Sequence, residues 1–133
     1  MFKLYFDGAS RKNPGPASYG FVIYSNEGET VYKGKKYIGN TTNNVAEYAG
    51  LFCGLQYCVE NKITKLNVYG DSNLILNQVM GKYKVKSKNL KPFYDEIMEL
   101  IPHFDTITFE HVYRKNNKVA DSLANEALDE LNN

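Results

Sequence analysis

The chain has 133 residues, of which 43% are hydrophobic, and its formal net charge at pH 7 is +1. This length and composition exclude a disordered chain and a small disulfide-stapled one, and they predict a single domain, over residues 1–133, with its own core. No apolar run approaches the roughly 20 residues of a membrane span, and a strand-like pattern rather than a leader follows Met1, so we expect a cytoplasmic protein. The low net charge leaves a polyanionic partner open, because only a local concentration of charge could indicate one.

Hydrophobic periodicity predicts elements in the order three strands, helix, strand, two helices, strand, helix. The first strand alternates over FKLYFD, and the segment rich in Gly, Asn and Pro that begins at Asp7 predicts a turn after it. The predicted strands are residues 2–7, 19–25, 29–39, 64–71 and 105–113, and the predicted helices are residues 43–60, 72–81, 89–100 and 117–131. This order predicts an α/β fold in which helices pack on the faces of a mixed sheet.

Residues at the predicted helix ends agree with these limits. Thr41 or Thr42 can cap the first helix, because a threonine side chain accepts a hydrogen bond from the free amides of the first turn. Gly81 fits the end of the second helix. Pro92 is tolerated only in a first turn, which places the start of the third helix near residues 87–89.

Four acidic residues lie at the rim of the predicted core, each in a different element. Asp7 ends the first strand and Asp71 ends the fourth, where open α/β sheets usually carry their sites. Glu47 lies one turn into the first helix, on the border of its apolar stripe, and Asp121 lies at the edge of the apolar stripe of the last helix. Each acid taken alone fits a turn, a helix cap or a solvated surface residue.

Taken together, the four carboxylates indicate a metal site. Without cations, clustered carboxylates repel one another, raise one another's pKa values and lower the stability of the fold. Oxygen ligands favour hard divalent ions, and Mg²⁺ commonly keeps several waters and completes its shell with substrate phosphate. Two such ions about 3.5 to 4 Å apart would bind the attacking water and the leaving oxygen of a phosphodiester.

Four segments, in order and together spanning nearly the whole chain, resemble the motif set of ribonuclease H, type 1, in the compact form without a basic protrusion. They are YFDGASRKNPGPASYGFVI, TTNNVAEYAGL, VYGDSNLILNQV and HVYRKNNKVADSLANEAL. The resemblance implies a ribonuclease H-like fold, with a five-stranded mixed sheet of three antiparallel and two parallel strands and helices on both faces. It also implies hydrolysis of the RNA strand of RNA/DNA hybrids with two Mg²⁺ ions, or Mn²⁺ as a substitute, leaving 5′-phosphate and 3′-hydroxyl ends.

The same resemblance implies roles for the four acids. Asp7 falls on the family's first carboxylate and would bridge the two metal ions, while Glu47, Asp71 and Asp121 fall on the second, third and fourth. By this match Glu47 would be a metal ligand that also borders the RNA sugar, which explains a charge on the margin of a buried helix face.

The resemblance also implies a set of substrate-binding residues, which are Gly8, Asn13, Thr42, Asn43, Asn44, Ser72 and Asn73. Gly8 would let the backbone approach the hybrid, and residues 42–44 would meet phosphate and base edges in the minor groove. Residues 72 and 73 would lie near the 2′-hydroxyl, the donor and acceptor that distinguishes RNA from DNA. Without the family match each would be a turn or cap residue, and for Asn13 and Thr42 both interpretations are compatible.

Two departures from the family pattern concern the loop before Asp121 and the region after Asp71. Bacterial members often have a histidine in that loop, whereas this chain has Arg114 and Lys115. Arg114 can contact phosphate bidentately, but a guanidinium is no proton shuttle at neutral pH. His111 lies in the predicted strand at a position that does not match, so we assign it no catalytic role.

In place of the basic protrusion, the segment GKYKVKSKNLK concentrates positive charge with no acid between its lysines, which are Lys82, Lys84, Lys86, Lys88 and Lys91. This segment is a candidate phosphate-tracking surface, with Tyr83 a candidate for packing on sugar. A solvated loop kept soluble by its lysines explains the pattern equally well.

The sequence supports two functions of different class. The first is a metal-dependent endoribonuclease acting on RNA/DNA hybrids, and the second is a non-cleaving nucleic-acid-binding module of the same fold. Retention of all four carboxylates favours the nuclease, because a binding module gains nothing from negative charge that faces phosphates. A broader nuclease that also cuts double-stranded RNA stays open, because the A-form minor groove displays the same 2′-hydroxyls. No exposed apolar stripe demands a dimer, so we expect a monomer that needs no protein partner.

Overall fold

The computed structural model describes residues 1–132, and a five-stranded sheet forms its centre. The strands are β1 (Phe2–Ser10), β2 (Gly15–Tyr24), β3 (Thr30–Thr41), β4 (Lys65–Gly70) and β5 (Thr106–His111). The helices are α1 (Asn43–Glu60), α2 (Asn73–Val79), α3 (Lys91–Leu100) and α4 (Lys118–Asp129), and short 3₁₀ turns follow α3, β5 and α4. This order of strands and α-helices is the order predicted from the sequence.

The strand order β3-β2-β1-β4-β5 places β1 at the centre of the sheet. β2 pairs antiparallel with both β1 and β3, as hairpin-linked strands do, while β4 pairs parallel with both β1 and β5. This confirms the predicted mixed α/β sheet. Because β1 and β4 are parallel neighbours, their carboxyl ends lie at the same edge, where following loops bring side chains together.

Helices cover both faces of the sheet, and close contacts of β2 with α1 and α4 show this. Tyr19 and Gly20 point to opposite faces, as consecutive strand residues must. A Cβ on Gly50 of α1 would lie 3.1 Å from the Cβ of Tyr19, so α1 packs on one face. On the other face Gly20 needs to be a glycine, because the backbone of α4 at Ala120 and Ala124 occupies the space of a side chain. β2 is therefore buried on both sides.

The main core lies between the sheet and α1. Alternation along β1 sends Leu4 and Phe6 into this core and sends Tyr5 and Asp7 to the face that carries α4. The largest fully buried aliphatic side chains here are Leu4, Ile23, Leu51, Leu55, Leu66, Ile75, Leu76 and Ile97. Within residues 1–132, no helix combines the length and the apolar character needed to cross a lipid bilayer.

The first hairpin is tighter than the sequence predicts. β1 continues through Asp7 to Ser10, and β2 already begins at Gly15, because Ser10 still pairs with Ala17 in the ladder. The predicted end of the first strand at Asp7 is therefore wrong, and the predicted turn is confined to residues 11–14. Pairing with β2 outweighs the turn preference of Gly and Ser, so Asp7 lies within β1 rather than at its end.

The third helix starts later than predicted. Residues 87–90 form a separate turn in which the amides of Leu90 and Lys91 donate to the Ser87 carbonyl, and α3 begins only at Lys91. Pro92 lies in the first turn of α3, as expected from its missing amide. After α2, Gly81 adopts a positive φ of 80°, which agrees with its predicted role in ending that helix.

Candidate active site

Three acidic side chains converge where β4 ends and its pairing with β1 stops. Asp7, Glu47 and Asp71 each offer a carboxylate oxygen within 4.8 Å of the other two. Asp7 and Glu47 are only 4% and 5% exposed, whereas Asp71 is half-buried. Three of the four acids singled out in the sequence therefore form one cluster.

The parallel pairing of β1 with β4 aligns Asp7 with Asp71. Tyr5 of β1 pairs with Tyr69 of β4, and their rings stack with centroids 4.8 Å apart. Two residues further along each chain the side chains return to the same face, which places Asp7 beside Asp71. The register of the sheet thus brings together two acids that are distant in sequence.

Glu47 lies inside the buried face of α1, which corrects the expectation that it borders that face. Leu51 and Cys58, on the same side of the helix as Glu47, are fully buried, whereas Phe52 and Val59 are only partly buried. The side of α1 that carries its two glycines approaches the sheet closely, and this turns the Glu47 side inward. An ionised carboxylate in such a buried position lowers the stability of the fold unless a proton or a cation neutralises it.

Burial and mutual repulsion dominate the electrostatics of the cluster. Burial, with a smaller contribution from the charges of Asp71 and Asp121, raises the pKa of Asp7 to about 7, although the Gly8 amide donates a hydrogen bond to Asp7 Oδ1 at 2.9 Å. Burial, and then the charge of Asp7, raises the pKa of Glu47 well above its usual range. Glu47 Oε2 is buried and has no hydrogen-bond partner within residues 1–132. These properties fit a divalent cation, which would neutralise the carboxylates and take the unpartnered oxygen as a ligand.

Asp121 lines the same cavity but lies outside the cluster of three. The cavity has a volume of about 280 Å³, and its lining comprises Asp7, Gly8, Ala9, Ser10, Arg11, Asn43, Glu47, Asp71, Arg114, Asp121 and Asn125. Asp121 Oδ1 accepts a hydrogen bond from Asn125 Nδ2 at 3.2 Å, and Arg114 Nη2 lies 3.9 Å from the same oxygen. The Asp121 side chain is 30% exposed and that of Arg114 is 82% exposed. Asp121 therefore has neutral and cationic neighbours of its own at the rim of the cavity.

Sequence reasoning misses Asn117, which contacts the cluster from the residue before α4. Asn117 is 1% exposed, and its Nδ2 donates to Asp71 Oδ2 at 3.2 Å and to the Phe6 carbonyl at 2.9 Å. An Asn directly before a helix predicts an N-cap, yet this side chain makes no capping hydrogen bond. No sequence pattern indicates that it turns back to the sheet. Asn125 is also missed, although its spacing of four residues from Asp121 on a helix is a usable signal.

One group of substrate-binding candidates lies at the N-terminus of α1. Asn13 Oδ1 accepts a hydrogen bond from the Asn43 amide at 3.0 Å, which ties the β1–β2 turn to the first turn of the helix. Asn43 and Gly8 line the cavity, and Asn44 is exposed next to them. The structure therefore places these four residues on one side of the acidic cluster.

The remaining substrate-binding candidates lie at the starts of α1 and α2. Two of them, Thr42 before α1 and Ser72 before α2, are helix caps. Thr42 and Ser72 each accept a hydrogen bond from the amide three residues further on, at 3.2 and 3.3 Å. This confirms the capping role expected for Thr42, while Thr41 belongs to β3. Asn73 is exposed in the first position of α2, two residues after Asp71.

His111 and the lysine segment lie in separate parts of the structure. His111 lies in β5, as the sequence predicts, but it is the last residue of that strand, and its ring meets that of Tyr113 edge-on. Four exposed lysines of the loop between α2 and α3 form no ion pair within residues 1–132, and these are Lys82, Lys84, Lys86 and Lys88. Lys91 begins α3 and pairs with Asp95 at 2.7 Å, while Tyr83 is 53% exposed. Such exposure fits both a phosphate-binding surface and a solvated loop, so the role of this loop stays a prediction.

Sequence comparison links the chain to nucleases. Residues 5–127 match the family model described as reverse transcriptase-like. A bifunctional protein of Mycobacterium tuberculosis is 44% identical over 92% of this chain, and a ribonuclease HI of Halobacterium salinarum is 41% identical over 95% of it. The chain spans 34% of the length of the first relative and 63% of the length of the second.

Solved structures resemble this chain along nearly its whole length. The crystal structure of RNase H1 from Halobacterium salinarum superposes with a TM-score of 0.93 at 40% identity, covering 97% of this chain and 98% of that one. LC11-RNase H1, a protein isolated from compost and crystallised with an RNA/DNA hybrid, superposes with a TM-score of 0.92 at 38% identity, covering 100% of both chains. The five-stranded sheet and its helices therefore have close structural counterparts.

Proposed function

The chain belongs to the ribonuclease H family, type 1, and from this premise we propose that it hydrolyses the RNA strand of RNA/DNA hybrids with two divalent metal ions. The products would be fragments with 5′-phosphate and 3′-hydroxyl ends. The observation that carries the proposal is the convergence of Asp7, Glu47 and Asp71 within 4.8 Å, together with the unpartnered buried oxygen of Glu47. The structural relative crystallised with an RNA/DNA hybrid supports the same substrate for this chain.

The proposed metal ligands are the four carboxylates Asp7, Glu47, Asp71 and Asp121. The chemistry supplied by two bound Mg²⁺ ions, or by Mn²⁺ in their place, is activation of the attacking water and stabilisation of the leaving oxygen. The raised pKa values of Asp7 and Glu47 follow from burial without a cation, and ionisation of both residues requires compensating positive charge. The acidic cluster alone would repel the phosphates of a nucleic acid, so metal binding should also strengthen substrate binding.

The N-terminus of α1 would hold the backbone of the substrate. Asn43 begins the helix at the cavity, and helix N-termini favour phosphate through their amides and their partial positive charge. Asn13 fixes this turn through its hydrogen bond to the Asn43 amide. Gly8 lines the cavity with its backbone, because the space of a side chain is filled by α1, and this bare backbone would face a sugar–phosphate chain.

Recognition of RNA would depend on the residues that follow Asp71. Ser72 and Asn73 lie at the start of α2, close to one of the proposed metal ligands, where a donor and an acceptor can meet a 2′-hydroxyl. Arg114, exposed beside Asp121, would contact a phosphate through its guanidinium. It would not accept a proton at neutral pH, so we assign it substrate binding rather than proton transfer.

Cleavage of a hybrid labelled on its RNA strand tests the proposal, in Mg²⁺, in Mn²⁺ and in chelator, beside DNA and RNA duplexes. We expect metal-dependent cutting of the hybrid RNA alone, lost in Asp7→Asn and retained in Asp95→Asn. Asp95 is the matched control, because it is an exposed acid paired with Lys91 on α3. Binding without cleavage in either metal would replace the nuclease by a non-cleaving module, and cutting of RNA duplex would replace it by a broader nuclease.

Other properties of the proposed enzyme stay predictions from the sequence. These are a single catalytic domain over residues 1–133, a cytoplasmic location and a monomeric state without a required protein partner. The chain spans only part of the length of its first curated relatives. The activity of the whole protein is therefore also a proposal.

A further inference from the structure

We propose that Asn117 is a positioning residue for the proposed reaction, which holds the Asp71 carboxylate in the orientation that binds metal. This inference rests on the proposed function, because it assigns Asp71 as a metal ligand. The structural basis is a pair of hydrogen bonds from one amide group, from Asn117 Nδ2 to Asp71 Oδ2 at 3.2 Å and to the Phe6 carbonyl at 2.9 Å.

The orientation of the Asn117 amide follows from its neighbours. Both partners, a carboxylate oxygen and a backbone carbonyl oxygen, are acceptors only. If the amide were turned over, three oxygens would meet in a buried space, so the NH₂ group must face Asp71 and Phe6. The amide therefore acts as a fixed donor, and it restrains one oxygen of a carboxylate that is only half-buried.

The position of Asn117 connects the parts of the site that come from distant segments. Phe6 directly precedes Asp7 in β1, so the second hydrogen bond anchors the amide to the strand that carries another proposed ligand. The Asn117 carbonyl accepts the amide of Asp121 at 3.1 Å, which closes the first turn of α4. One buried residue thus touches β1, the Asp71 carboxylate and the turn that carries Asp121.

A purely structural role explains this residue poorly. The side chain makes no capping hydrogen bond to α4, although an Asn in this position usually does. Asn117 Oδ1 is buried and has no partner within residues 1–132, and an unpaired buried acceptor lowers stability. Packing alone would be served better by an apolar side chain of similar size, whereas only a donor can hold the Asp71 carboxylate. Hydrogen bonds from outside the ligand set orient metal-binding carboxylates in the same way.

The test measures Mn²⁺ affinity of the substrate-free protein by electron paramagnetic resonance, so it does not depend on cleavage. We compare wild type with Asn117→Ala and Asn117→Leu, and the Leu variant keeps most of the buried volume if the smaller side chain fails to fold. Both variants should bind Mn²⁺ about 10- to 100-fold more weakly than wild type, the usual effect of losing such a partner. Ile97→Val, a buried change in α3, is the control for lost stability without contact with Asp71.

Cleavage kinetics supply a second readout that a structural role would not change. If Asn117 acts through Asp71, the half-saturating Mn²⁺ concentration rises in both variants, and saturating Mn²⁺ restores most of kcat. Wild-type Mn²⁺ affinity in a folded Asn117→Leu protein would overturn the inference and leave the proposed nuclease intact. A wild-type protein that neither binds Mn²⁺ nor cuts the hybrid would instead overturn the proposed function, and the inference with it.

Discussion

Gly8 of β1 lies directly against the backbone of Glu47 in α1. A Cβ on Gly8 would lie 2.5 Å from the carbonyl carbon of Ala46 and still closer to the Glu47 amide. This contact sets the distance between the strand that carries Asp7 and the helix that carries Glu47, because neither backbone can give way without moving a whole element. The separation of two proposed metal ligands is thus fixed by the absence of one methyl group.

The first prediction concerns this contact. Gly8→Ala should push α1 away from β1, lower the free energy of unfolding by roughly 1–3 kcal/mol as overpacking does, and weaken Mn²⁺ binding. Thermal unfolding and Mn²⁺ titration measure the two effects. Gly28→Asn is the control, since a Cβ at Gly28 meets nothing within 4 Å and Asn tolerates its positive φ of 85°. Unchanged Mn²⁺ affinity in folded Gly8→Ala would show that the contact does not set the ligand distance.

The second prediction is a pH dependence of stability without metal. The pKa of Asp7 is about 7 in the folded chain against 3.8 for a free side chain, so the folded state binds the additional proton between these values. Stability in chelator should therefore fall as pH rises from about 4 to about 7, owing to Asp7. Asp7→Asn removes this contribution, and the variant should be more stable than wild type at pH 8 by on the order of 2–4 kcal/mol, because one pKa unit corresponds to about 1.4 kcal/mol.

Bound metal should make the wild type more stable than Asp7→Asn, the reverse of their order in chelator. At pH 8, saturating Mg²⁺ or Mn²⁺ stabilises the wild type by mass action, by about 2.7 kcal/mol at 100 times the dissociation constant, and it should stabilise Asp7→Asn much less. Calorimetric scans of both proteins, with metal and with chelator, measure the four values. Equal stability of the two proteins in chelator at pH 8 would contradict the raised pKa of Asp7.

The third prediction separates Asp121 from the other acids. Asp121 is the fourth proposed ligand, but it lies outside the cluster of Asp7, Glu47 and Asp71, so we expect it to hold metal only once substrate is bound. Asp121→Asn should therefore change the Mn²⁺ affinity of the free protein by less than about 10-fold, the lower limit expected for losing a hydrogen-bond partner of a metal ligand. Asp71→Asn should lose far more affinity. Calorimetric titration with Mn²⁺ makes the comparison, and losses of similar size in the two variants would place Asp121 in the substrate-free metal site.

The fourth prediction tests the loop between α2 and α3. Replacing Lys84, Lys86 and Lys88 with Gln should weaken hybrid binding and reduce the slope of log affinity against log salt by up to about one for each lysine that contacts phosphate. Fluorescence anisotropy with a chelated, inactive sample measures the slope. The matched control removes the same charge from three exposed lysines near the amino ends of β1 and β4, which are Lys3, Lys62 and Lys65. If both triple variants lose the same slope, net charge rather than this loop accounts for binding.

Local sequence patterns predict the order of elements and the four acids, because each depends on residues that are close in the chain. Alternation and helical spacing identify the strands and helices, and Asp7 and Asp71 stand beside clear strand patterns. The resemblance to ribonuclease H supplies the sheet topology, which those patterns alone leave open. The mixed sheet with helices on both faces is then confirmed by the structure.

Features that depend on tertiary contacts are missed. The hairpin after Asp7 is shorter than its Gly, Ser and Pro content predicts, because strand pairing extends to Ser10 and Ala17. Helical periodicity places Glu47 on a margin, since hydrophobicity alone does not show that α1 approaches the sheet through its glycines. Asn117 resembles an ordinary cap, and only the fold reveals that its amide turns toward Asp71.

The central position of β1 in the sheet affects the order in which its contacts can form during synthesis. Among the elements of residues 1–132, β1 is synthesised before the others, and β4 can pair with it only after α1 and the first hairpin have been made. Asp121 and the preceding Asn117 are synthesised later still, with the last of the four α-helices. Contacts between segments so distant in sequence form slowly, because the intervening chain must first be ordered. Asp7, Glu47 and Asp71 are therefore synthesised before Asn117, the residue that we propose restrains Asp71, and the proposed nuclease activity should appear only after α4 has been made.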